Sequence, residues 1–310
     1  MHLLIPFASA LSDASTHTLR DLELPQLTRL FARLAASERV GSDEYSLTPP
    51  HERALAAALG WHGDDGALPW AAHWASSDGI ATGDAAWALL TPVHWHVGRD
   101  HISLADPAEL ALGEAESRAL LDAVRVLFES EGFALAWGAP ARWYASHADF
   151  DALPCASLDR VIGRNVDLWL PHHPKARLIR RLQNEVQMLL YNHPLNDARE
   201  ARGALSVNSF WLSGCGARQP VPRGFAVQVD ERLRAPLLAD DWAAWADAWR
   251  ALDAGPIGDL LMHAQRGETT SLTVCGERFA QRFDSVKRPV WQRLTQAWQN
   301  KPAHELLEAL

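Results

Sequence analysis

The sequence predicts an α/β protein: a mainly parallel sheet flanked by helices, together with a small α+β domain. Three observations predict it. The chain opens on an apolar run, residues 3–8, of strand rather than helix length. Helix-like and strand-like patterns then alternate, which favours an α/β layer architecture over an all-α or all-β one. A polar, Gly-rich link over residues 63–84 precedes a separate strand–helix–strand pattern, so a domain boundary is expected at residue 84.

Taken in order, residues 3–8 read as a buried first strand followed by a polar turn. Leu24, Leu27, Leu30, Phe31 and Leu34 share helical spacing, and Pro25 stands at the helix start, where its missing N–H is harmless. Residues 51–59 read as a second helix ending at Gly60. Trp87, Leu89, Val93, Trp95 and Val97 alternate along a strand, with residues 102–104 as its neighbour. Ala115, Leu120, Leu121, Val124, Leu127 and Phe128 line the apolar side of a helix over 114–128. Residues 133–137 and 143–144 read as short strands. Leu178, Ile179, Leu182, Val186, Leu189 and Leu190 share one face of an amphipathic helix that His193-Pro194 stops, since proline lacks the N–H. A polar loop holding Asn196, Asp197, Arg199 and Arg202 follows, then a short strand over 207–212 and a tight exit at Gly214-Cys215-Gly216. A strand over 225–229, a helix built on Trp242, Trp245, Trp249 and Leu252, a strand over 271–274 and a final helix over 289–298 complete the chain.

With 48% hydrophobic and 22% charged residues among 310, the composition is that of an ordinary soluble globular protein. That length suffices for one large domain or a core with a smaller second one. The net charge of −9 leaves no basic excess to neutralise phosphates, so a general nucleic-acid binder is excluded. Cys155, Cys215 and Cys275 show no Cys-x-x-Cys or zinc spacing, the usage expected of a reduced, cytoplasmic protein. The apolar start is too short for a signal peptide and has no basic residue before it. No run approaches the ~20 apolar residues of a membrane span, so no membrane partner is expected. The 14 tryptophans fill the core or a protein partner's surface.

The stretch from 193 to 216 bears most on function. Two arginines in a polar loop, beside a strand ending in Gly-x-Gly, suit an anionic ligand such as a phosphate. A surface loop with an ordinary glycine turn is the alternative. The same stretch resembles the archaeal-type, cofactor-independent phosphoglycerate mutases, whose core belongs to the alkaline phosphatase superfamily. Those proteins carry H-P-x-N-x-x-R-x-x-x-G-x-x-x-x-N-x-x-W-L-x-G-x-G, matched here by His193, Pro194, Asn196, Arg199, Gly203, Asn208, Trp211, Leu212, Gly214 and Gly216. The resemblance implies an alkaline-phosphatase-like core of residues 1–83 and 172–310, into which residues 84–171 are inserted as the small α+β domain. It also makes His193, Asn196, Arg199, Asn208, Gly214 and Gly216 candidate residues for a phosphorylated small molecule, with Arg199 exposed in the pocket.

The family's chemistry moves a phosphoryl group through a serine beside two divalent metals, which clamp the phosphoryl oxygens. Its first metal ligand sits at the end of the first strand, in a "P-D-G" segment; here the same place is Pro6-Phe7-Ala8, and phenylalanine cannot bind a metal. The serine position falls at or beside His51, with Ser46 and Thr48 close by. Asp159 matches the aspartate of the family's "P-H-D-I" segment, or it caps a turn. The late Asp/His ligand segments are missing, and the chain is roughly a hundred residues shorter than a typical member, which fits the loss of that region; without those carboxylates a metal pair has no cage. His94 and His96, two apart on a strand, are the weak metal candidates that remain, unless they lie on a solvent face. The expectation is a catalytically degenerate, regulatory or ligand-binding protein with no cofactor; some bacterial relatives of this kind are labelled as regulators. The alternative is an active mutase or phosphatase using manganese or zinc at a site rebuilt from His51, His94, His96 or Asp13.

Overall fold

The computed structural model describes residues 1–222, 224, 226–285 and 302–310. They form two units, residues 1–44 with 49–60 and 221–310, and residues 45–48 with 61–220. The first unit begins with β1 (His2–Ile5), α1 (Asp13–Asp21), α2 (Pro25–Phe31), β2 (Leu34–Gly41) and α3 (Pro50–Ala58). The second holds α4 (Trp70–Ser77), β3 (Ala86–Val93), β4 (Trp95–Val97), β5 (Ile102–Leu104), α5 (Glu114–Glu129), β6 (Ala134–Ala139), β7 (Arg142–Ser146), α6 (Leu158–Val161), α7 (Ala176–Tyr191), α8 (Pro194–Ala201) and β8 (Ser209–Ala217). The chain returns to the first unit with β9 (Gln228–Val229), α9 (Arg234–Leu238), α10 (Trp242–Leu252), α11 (Gly258–Gln265), β10 (Ser271–Cys275), β11 (Phe279–Ser285) and α12 (Ala303–Glu308).

The first unit is an α/β/α sandwich on a mixed sheet of order β2-β11-β10-β1-β9. β1 runs parallel to β9 and β10, while β11 is antiparallel to both β10 and β2. The sheet is thus not mainly parallel, for a local reason. Only residues 276–278 separate β10 from β11, and so short a link allows a hairpin but no crossover. Strand alternation divides the faces. Leu3, Ile5, Leu272, Val274 and Phe283 pack with Leu27, Leu30, Trp245, Trp249 and Leu260, whereas Leu4, Cys275 and Ala280 face Ala54 and Leu55 of α3. Pro25 opens α2 as expected, and the buried Asp253 carboxylate accepts from Gln26 N at 3.1 Å and Leu27 N at 2.7 Å, capping that helix from a π-turn after α10. β2 was legible only as a helix end plus polar chain, since its centre, Ala36 to Arg39, is exposed.

The second unit carries an antiparallel sheet, β6-β7-β3-β8, and a separate β4-β5 hairpin. Ala86, Ala88 and Leu90 of β3 pack with α5 and α7, while Trp87 on the opposite face meets Ala71, Ala72 and Ala75 of α4. The expected boundaries at 84 and 171 therefore fall inside this unit. β8 pairs along the whole of β3, from Ala86↔Ala217 to Val93↔Ser209, and α7 covers the same sheet. Three local expectations also change. The link over 63–84 contains α4. The polar loop after His193 is the helix α8. β8 continues through both glycines instead of turning at them. Of the strand expected over 225–229, β9 covers Gln228–Val229; residue 225 and the helix expected over 289–298 lie outside the described residues. Among the described residues no helix is long and apolar enough to cross a membrane.

Candidate functional site

In open α/β sheets ligands gather at the carboxyl ends of the parallel strands. In the first unit that edge is formed by the ends of β9, β1 and β10. Its unusual residue is Phe7, two positions past β1, whose backbone is left-handed at φ 59°. A bulky residue there costs about 1–3 kcal/mol and persists only where its surroundings hold it. They do so from both sides: Trp245 Nε1 donates to Phe7 O at 3.1 Å, and Ala8 N donates to Cys275 O at 2.8 Å. The ring of Phe7 stands 5.0 Å from that of His51 in the first turn of α3, inclined by 38°.

The neighbouring strand ends are committed to structure. Asp230 continues the ladder through its N–H to Leu4 O at 3.0 Å, and its carboxylate accepts from Arg232 Nε and Nη2, both at 2.8 Å. At Gly276, after β10, a Cβ would lie 2.4 Å from Ser9 Oγ, so glycine is needed for close approach of the two loops. Two positions distant in sequence, Phe7 and His51, thus meet at this edge. An imidazole can carry a proton or bind a metal, whereas Phe7 offers no donor atom.

The stretch 193–216 lies in the second unit, and its polar residues brace the fold. His193 caps α8, its Nδ1 accepting from Leu195 N at 3.3 Å; Pro194 is the first helical residue, so the pair that stops α7 also starts α8. Asn196, buried, donates from Nδ2 to Leu190 O at 2.9 Å and Val207 O at 2.8 Å, and accepts from Val207 N at 2.9 Å. Asn208 ties β8 to β4, accepting from Trp95 N at 2.7 Å and donating to Trp95 O at 3.0 Å.

Arg199 corrects the expectation of an exposed, anion-accepting residue. Its side chain is 0% exposed and donates to Leu205 O at 2.8 Å, to Glu116 Oε2 at 2.7 Å and to Leu110 O. Glu116 also accepts from Arg202 at 2.6 Å. Burial by itself raises the Glu116 carboxyl, but the Arg202 hydrogen bond and the charges of Arg199 and Arg202 outweigh it and hold the group below its usual range. The protein's own carboxylate and carbonyls take the guanidinium, which leaves no place for a phosphate. The glycines also have a packing role: a Cβ at Gly214, φ 65°, would lie 2.9 Å from Ala71 N, and one at Gly216 would lie 3.0 Å from Pro69 Cβ, so both admit α4 against β8.

His94 and His96 come together, their rings 4.5 Å apart and edge to face, although only His96 belongs to β4. His94 Nδ1 donates to Ser206 O at 2.7 Å, and burial lowers its pKa. Among the described residues no third metal-ligating side chain closes on this pair. Asp159 lies in the first turn of α6. The sequence reading missed Glu116 and Trp245. Trp245 was legible only as helix face, and nothing local to Glu116 foretells a partner 83 residues away.

No family model matches the chain, and no curated protein does. Among solved structures it is similar to a cofactor-independent phosphoglycerate mutase from Thermoplasma acidophilum, with 13% identity and a TM-score of 0.38 over 100% of this chain and 98% of that one. It is also similar to the PH0037 protein from Pyrococcus horikoshii, with 10% identity and a TM-score of 0.46 over 92% of this chain and 87% of that one.

Proposed function

We propose that this chain is a phosphoglycerate-mutase-like protein, with an alkaline-phosphatase-like first unit, that works as a binding or regulatory protein and not as a phosphoryl-transfer enzyme. The observation that supports the reading is Phe7. It occupies the turn after β1 in a strained, left-handed conformation, ring to ring with His51, at the edge where such chemistry needs a carboxylate ligand and a hydroxyl nucleophile. Without that ligand a two-metal clamp has no anchor on β1, and an imidazole in place of the serine cannot give the same phosphoserine. A second reading, a metal-dependent phosphatase or mutase with a rebuilt site, draws on His51 and Glu52, adjacent in the first turn of α3. The separating experiment is metal analysis of the purified protein together with mutase and phosphatase assays under added manganese or zinc. The proposal expects turnover at background and no stoichiometric metal. Turnover that follows bound metal, with both lost in His51→Ala, would establish the second reading instead.

A further inference from the structure

We infer that Cys155 and Cys215 are a disulfide-forming pair. Their Sγ atoms lie 3.6 Å apart, and both residues sit in the apolar core of the second unit. Cys275, also buried, belongs to the other unit, so no competing thiol accompanies the pair. A disulfide needs an S–S separation of ~2.05 Å, so the sulfurs have about 1.5 Å to close. Cys155 stands in irregular chain between β7 and α6, and Cys215 lies between Gly214 and Gly216, both at positive φ. The segment already touches β8 here, through Trp211 Nε1 to Ala156 O at 2.9 Å, and a covalent link would reinforce that contact.

The oxidant is a small disulfide, RSSR. One cysteine, as thiolate, attacks it and releases RSH; the second thiolate then attacks the mixed disulfide, forming the Cys155–Cys215 bond and releasing a second RSH. Two protein thiols lose two electrons and two protons, and RSSR becomes two RSH. Burial and the neighbouring Cys155 raise the Cys215 thiol, so little thiolate exists at neutral pH and attack needs local opening. The reaction is therefore slow, the pair remains a dithiol in a reducing compartment, and closure follows sustained oxidation.

The test uses the intact protein incubated with oxidised glutathione, then blocked and mapped without reduction. Free thiols in the unfolded protein should fall from three to one, with one cross-linked peptide pair carrying Cys155 and Cys215 and reversal by dithiothreitol. Because the link closes a 60-residue separation, the oxidised protein's Tm should rise by about 5–10 °C. Cys155→Ser should abolish the cross-link. Should that variant fail to fold, Cys275→Ser serves, with its free thiols falling from two to none. Three thiols persisting, each cysteine capped singly by glutathione, or a cross-link through Cys275 would overturn the inference.

Discussion

Replacing Arg199 by alanine tests whether the 193–216 stretch is architecture or a ligand site. Truncation strands the carbonyls of Leu110 and Leu205, at about 1–3 kcal/mol each when buried. Removing one partner of a buried ion pair adds as much as about 3–5 kcal/mol, but Glu116 is partly exposed and keeps Arg202, which discounts that share. The expected loss is about 3–5 kcal/mol, or a fall in Tm of roughly 8–15 °C. Urea titration followed by tryptophan fluorescence reads it as a lower midpoint at unchanged slope. Arg202→Ala, at an exposed partner, should lose no more than about 1 kcal/mol. Arg199→Lys should fall between the two, because an ammonium cannot reproduce the planar fork. An Arg199→Ala protein within about 1 kcal/mol of wild type that had lost binding of a phosphorylated metabolite would refute the bracing role.

Gly214→Ala should destabilise by about 2–4 kcal/mol, since the new Cβ meets the α4 backbone at a left-handed position, whereas Gly203→Ala, also at positive φ but with open space around it, should lose about 1 kcal/mol; chemical denaturation of both separates crowding from backbone strain. Burial, with the Arg282 charge behind it, pushes the His2 pKa down to about 4 from 6.5. Its neutral ring therefore contributes stability that is full above pH 6.5 and is lost as pH falls toward 4, and His2→Gln should flatten that part of the wild type's Tm-against-pH curve. The metal and turnover assay bears on Phe7 and His51: both quantities should stay at background for the wild-type protein.

Local pattern sufficed wherever an element's own residues supply most of its burial. The helices α2, α3, α5, α7 and α10 follow from apolar spacing, helped by proline at the start of α2 and α3 and glutamates at that of α5, and β1, β3 and β10 from their apolar residues. The α/β class was legible for the same reason, but the apolar run over 3–8 did not show that the strand ends at Ile5 and leaves Phe7 at a positive φ. What the tertiary structure decided depends on partners far along the chain. β2 is polar and exposed at its centre, and only pairing with β11 makes it a strand. Gly214 and Gly216 read as a turn because no local signal shows α4 lying against them. Arg199 reads as an exposed, phosphate-seeking side chain because a guanidinium looks the same in sequence whatever it binds. Glu116 and the carbonyl of Leu110, more than 80 residues away, take its donors and make it a brace. The matched motif could say which polar residues stand in that stretch, but the partners that saturate them exist only once the second unit has folded.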